Sequence, residues 1–79
     1  MKGIVTVDSV KNRIYTAMQI RNMKQVDLIN KTGIPKSSMS QYLSGKIEPK
    51  YLRIDLMAKS LNVNEAWLMG LNFPLEGEN

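Results

Sequence analysis

The sequence predicts an all-α domain of five short helices, and three observations carry that reading. Apolar residues recur three and four positions apart in successive windows, the spacing of one helix face. Those windows are punctuated by residues that start helices (Asp8, Ser9, Pro35, Asn64) and residues that stop them (Gly33, Gly45, Asn62, Gly70). The alternation that marks a strand occurs only near the N-terminus, around Ile4, Val5 and Val7, over too few residues to stand alone.

Residues 1–7 are therefore expected to form a flexible N-terminal arm. Asp8 or Ser9 caps the first helix, whose inner face carries Val10, Ile14, Ala17 and Met18. That helix should end near Arg21 and Asn22, with Met23 tucked into the core. A second helix runs from Lys24 or Gln25 to about Thr32 and buries Val26, Leu28 and Ile29. Gly33 stands where the chain must reverse with a positive φ, which glycine tolerates best. Ile34 plugs the turn, and Pro35 fits the first turn of a third helix because its missing N–H has no partner there. The third helix extends to Leu43 or Ser44 and stops at Gly45. Residues 46–49 connect to a fourth helix over 50–61, with Leu52, Leu56, Met57 and Leu61 on one stripe and Asn62 as its close. Asn64 caps a short fifth helix holding Ala66, Trp67, Leu68 and Met69 and ended by Gly70. The folded domain is thus expected over 8–70, followed by a tail or linker over 71–79.

Composition excludes several functions. A chain of 79 residues makes one domain and buries only about 60% of its unfolded surface, leaving little room for an enclosed active site. It has no cysteine and no histidine, so thiolate chemistry, histidine bases and the usual zinc and copper sites are not expected. The seven carboxylates are scattered, with no spacing that gathers a pair. No enzyme, no cofactor and no metal is expected. No run approaches the roughly 18 apolar residues of a membrane span, and the N-terminus lacks the apolar stretch of a secretory signal, so a cytoplasmic protein without a membrane partner is expected. The formal charge of +4 is uneven: residues 1–50 carry a balance of +6 and residues 51–79 a balance of −2. That asymmetry suits a protein that meets phosphates with one face.

The segment QVDLINKTGIPKSSMSQYLS, residues 25–44, concentrates the functional information. Its apolar set, Leu28, Ile29, Ile34, Met39, Tyr42 and Leu43, points toward a shared core. Its polar set, Gln25, Lys36, Ser37, Ser40, Gln41 and Ser44, points outward. A short helix with small hydrogen-bonding side chains on its free face fits a DNA major groove. The segment reads as a helix-turn-helix, with double-stranded DNA as its partner.

The apolar spacing about Gly33 matches that motif, and with SSMSQYLSGKIEP and LNVNEAWLMG the chain resembles XRE-type regulators over residues 8–70. This class includes the lambdoid phage repressors and Cro proteins, and the two stretches are similar to N-terminal domains of repressors from temperate phages of Gram-positive hosts. The resemblance implies a lambda-repressor-like fold and a sequence-specific transcriptional repressor, either as a DNA-binding domain of a longer protein or as a short Cro-like regulator. It implies base contacts from Lys36, Ser37 and Gln41. Ser40, on the same face one turn on, adds apolar or water-mediated readout. Gln25, Ser44 and Lys46 match positions that clamp phosphates, and Lys24 and Lys50 contribute at longer range. A near-palindromic operator and a weak homodimer, formed mainly on DNA, are also implied, with Trp67, Leu68, Leu71, Phe73 and Leu75 as the apolar residues nearest such a contact.

Three positions depart from the family pattern. Ile29 replaces the usual alanine, which should hold the two motif helices slightly wider. Thr32 stands where an apolar residue is common. Met18 and Leu43 replace a buried Arg–Glu pair, which removes a desolvation penalty. The alternative function is an antitoxin or adaptor that uses the same fold to grip a protein. Such a module would expose aromatic or aliphatic anchors on the third helix, and KSSMSQ shows small polar residues instead.

Overall fold

Ser9 is the point at which extended chain becomes helix. Its backbone is in the β region and its Oγ accepts the Asn12 N–H at 3.0 Å, which satisfies one of the free donors of the first turn. The computed structural model describes residues 5–76. From this start it forms α1 (Val10–Ile20), α2 (Gln25–Thr32), α3 (Lys36–Ser44), α4 (Tyr51–Leu61) and α5 (Glu65–Leu68). The all-α expectation of five short helices holds, with helix ends close to those predicted.

The stops are backbone events. Asn22 and Asn62 both take φ 56°, and Gly33 takes φ 75°, so each chain reversal uses the left-handed conformation that terminates a helix. Pro35 lies one position outside α3 rather than in its first turn. Its φ of −58° and ψ of 147° place it at the N-cap, where its carbonyl accepts the Met39 N–H at 2.9 Å. At α5 the Asn64 side chain accepts the Trp67 N–H at 3.0 Å, as its capping role requires.

The core is built where these helices meet: α4 packs against α2 and α5, and α1 against α3 and α5. Ile14, Leu28, Ile34, Met39, Met57, Leu61 and Leu68 are its fully buried centre. Met18 and Leu43 are buried in the same cluster as apolar residues, with no charge to desolvate. Two expectations are corrected. Val26 is exposed, because at the start of α2 only Leu28 is fully covered, while Ile29 is half-buried at the core's edge. On α4 the buried stripe is Ile54, Met57, Ala58 and Leu61, whereas Leu52 is 75% exposed and Leu56 42% exposed. Both stripes have helical spacing. The one that faces α2 and α5 is the one that is buried.

The terminal segments also differ from expectation. Of the predicted arm, residues 1–4 lie outside the described residues, but Val5 to Val7 run along the chain after α5. Thr6 pairs antiparallel with Leu71, Gly70 O accepts the N–H groups of Val7 (2.7 Å) and Asp8 (3.2 Å), and Asn72 N–H donates to Val5 O at 3.0 Å. Backbone pairing with the chain after α5 therefore replaces a free arm at these residues. The predicted tail is likewise anchored as far as Glu76. Leu75 packs on the core, its carbonyl accepts the Asn64 N–H at 2.7 Å, and Glu76 reaches Arg21 at 3.4 Å. Residues 77–79 lie outside the described residues. Among the described residues, no helix is long and apolar enough to cross a membrane.

Candidate nucleic-acid interface

The outward face of α3 follows from where its apolar residues go. Met39, Tyr42 and Leu43 are buried, so the helix is locked in rotation. Lys36, Ser37, Ser40 and Ser44 are then exposed on the opposite face, with Gln41 half-buried among them. A second lock comes from α4: Arg53 Nη1 donates to the Tyr42 hydroxyl at 3.3 Å. The face carries no aromatic or large aliphatic side chain.

The turn is held by Thr32. Its Oγ1 donates to Leu28 O at 2.8 Å and accepts the Ile34 N–H at 3.1 Å, tying the end of α2 to the start of α3. The hydroxyl at a commonly apolar position thus has a structural reason. Ile34, 2% exposed, plugs the turn from inside. Between the helices, Gln25, Val26, Ile29 and Lys36 line a shallow groove.

At the other end of the motif, Gln25 Nε2 donates to Ser40 Oγ at 3.4 Å. The first residue of α2 therefore meets the middle of α3. α3 has no side-chain cap, whereas at α2 the Asp27 carboxylate folds back onto the N-cap. A helix N-terminus favours an anion such as a phosphate. Lys24 is exposed at the N-cap of α2, where its backbone N–H donates to the Asp27 carboxylate at 2.9 Å. Beyond α3, Ser44 Oγ donates to Gln41 O at 3.1 Å and accepts the Lys46 N–H at 3.3 Å, which fixes the chain leading to the exposed Lys46. Lys24, Gln25, Lys36, Ser37, Ser40, Gln41, Ser44 and Lys46 thus lie on or beside the motif helices, and Lys50 stands apart at the N-cap of α4.

A helix-turn-helix family model matches residues 14–68, more than half of the chain. The chain belongs to this helix-turn-helix family. No curated protein matches it. The family is one of DNA-binding regulators of the XRE type.

Two arginines of the basic N-terminal half are taken up inside this helix-turn-helix domain. Arg13 is buried: Nε donates to Asp8 at 3.2 Å, Nη1 donates to Trp67 O at 2.9 Å, and its guanidinium lies 4.6 Å from the centre of the Trp67 ring. Asp8 in turn accepts from Asn12 and from the Ser9 N–H, and these bonds, with Arg13, hold its carboxyl below the usual range. Arg21 donates to Leu61 O (2.8 Å) and Asn62 O (2.7 Å), closing the C-terminus of α4. In the sequence both enter only the basic balance of residues 1–50. The available signal was position: Arg13 sits beside Ile14 on the inner face of α1, where a lone cation needs a partner.

Proposed function

We propose that this helix-turn-helix domain is a sequence-specific transcriptional repressor of phage or prophage type. It reads a near-palindromic operator with the outer face of α3. The observation that carries the reading is that face itself: Lys36, Ser37, Ser40 and Gln41 stand together, short and polar, on a helix whose rotation is locked by buried Met39, Tyr42 and Leu43. Gln41 reads adenine through a bidentate amide contact and Lys36 reads guanine O6 and N7. Ser37 discriminates weakly, and Ser40 adds apolar or water-mediated contact while accepting from Gln25. Gln25, Ser44, Lys46 and Lys24 hold the phosphates on either side. Two copies bind as a weak homodimer that forms mainly on DNA, each copy reading one half-site. The protein acts in the cytoplasm, without a metal or cofactor.

The test is selection of bound duplexes from a random library, followed by affinity measurements across a salt series. A near-palindromic consensus is expected, with half-site centres about 10 base pairs apart. Affinity for the consensus should fall steeply with salt, each neutralised phosphate contributing about −0.9 to the log–log slope. A flat salt response, or selection of no consensus, overturns the proposal.

A further inference from the structure

Lys11 belongs to no motif helix, yet its side chain lies across the end of α3. A Cβ built on Gly45 would stand 3.1 Å from Lys11 Cδ and 3.9 Å from its Nζ, so the lysine stem occupies the space that the absent side chain leaves. This places the ammonium beside the residue that joins the recognition helix to Lys46. Residues from the start of α1 and from the α3–α4 connection, Lys11, Asn12, Gly45, Ile47 and Glu48 among them, line a shared cleft there.

Among the described residues the ammonium has no ion-pair or hydrogen-bond partner. The three ion pairs among the described residues involve Arg13, Arg21 and Lys59, and the Glu48 carboxylate in the same cleft is not paired with Lys11. Nor does the end of α3 need it. Gly45 N–H donates to Tyr42 O, and the N–H groups of Lys46 and Ile47 and the Ser44 hydroxyl all donate to Gln41 O. A stem held against backbone with a free charge at its tip loses less side-chain freedom on meeting an anion than an ordinary surface lysine does.

The geometry points to Lys11 as a further phosphate clamp: with Lys46 it grips the DNA backbone at the C-terminal end of the recognition helix, and it takes a phosphodiester of any sequence. The inference rests on the proposed reading of duplex DNA. The test compares the unaltered protein with Lys11→Met, which keeps the stem over Gly45 and removes the charge, and with Lys11→Arg, which keeps the charge. Each is titrated with the selected duplex and a scrambled one between 50 and 200 mM salt, conditions in which phosphate contacts are resolved. Losing one phosphate contact should lower the slope magnitude by about 0.9 and weaken both duplexes equally, by about eightfold near 0.1 M salt. Lys11→Arg should restore most of the affinity, and circular dichroism should show all three proteins equally folded. An unchanged slope and affinity for Lys11→Met overturns the clamp and leaves the DNA reading intact. If the unaltered protein shows no salt-dependent binding to any duplex, the DNA reading itself falls, and the clamp with it.

Discussion

Gln41 and Gln25 have the same side chain at two different jobs, and the local geometry separates them. Gln41 stands on the outer face of α3, while Gln25 donates its amide to Ser40 from the first turn of α2. Gln41→Ala and Lys36→Ala should each relax base preference at one operator position, losing about 1–3 kcal/mol of discrimination. Lys46→Ala should weaken all sequences alike. Repeating the library selection with each variant checks this, and an unchanged consensus for Gln41→Ala would remove α3 from the groove. Asp8 supports a second prediction. Its folded pKa is depressed, foremost by the Asn12 side-chain bond, so its stabilisation is present above the unfolded pKa and lost as pH falls through the folded one. Thermal unfolding of Asp8→Asn should therefore lie below that of the unaltered protein at pH 7, with the gap closing below about pH 4. A gap that stays constant into acid would mean that the ionised carboxylate contributes nothing. The Asn12, Ser9 and Arg13 contacts behind this prediction lie within five residues of Asp8, yet only the capping role of this stretch was readable beforehand.

Among the elements, the two turns at Gly33 and Gly70 look alike in sequence, each a glycine after a helix, but they demand glycine for different reasons. At Gly33, φ is 75° and an added Cβ would meet nothing within 4 Å. Gly33→Ala should thus lose only the conformational preference, about 1–2 kcal/mol, with the motif intact. At Gly70 the added Cβ would stand 2.2 Å from the Asp8 carbonyl oxygen, a backbone atom that cannot swing away. Gly70→Ala should destabilise more strongly and open the pairing of Val7 and Asp8 with Gly70 O. Denaturant unfolding with amide exchange at Val7 and Asn72 distinguishes them, and equal losses with retained protection would refute the close-approach argument. The helices were legible because capping residues and stops act over one turn of chain. The face of α4 was not, because Leu52 and Leu56 have the same spacing as the residues actually buried, and only the positions of α2 and α5 choose between them.

For the whole molecule, the decisive fact is which apolar residues the core takes up. Of the residues considered for a self-contact, Trp67 and Leu68 are buried in the core, and Leu75 packs against it. Trp67 moreover covers the Arg13 guanidinium. Of that set only Phe73 is exposed and Leu71 half-buried, too few side chains to supply the roughly 800 Å² per partner of a standard interface. The free protein should sediment as a monomer, or as a monomer–dimer mixture, at micromolar concentration and fill two half-sites cooperatively. Trp67→Ala should lower the unfolding free energy by about 3–5 kcal/mol as a core truncation. Tight dimers in sedimentation without DNA, or a stable Trp67→Ala protein that merely loses self-association, would contradict this arrangement.

The sequence by itself determined the elements and the motif. Cap preferences, positive-φ stops and apolar periodicity are properties of a few neighbouring residues, so five helices and the polar outer face of residues 36–44 could be read directly. The tertiary structure alone decided what neighbouring residues do not control. It turned α4 so that Ile54 rather than Leu52 is buried, tied Val5 to Val7 against the chain after Gly70, and placed Arg13 between Asp8 and Trp67. It also laid Lys11 over Gly45. Each of these joins residues far apart in the chain. Their partners are chosen by how the helices pack, and packing energies belong to the assembled core rather than to any stretch of sequence.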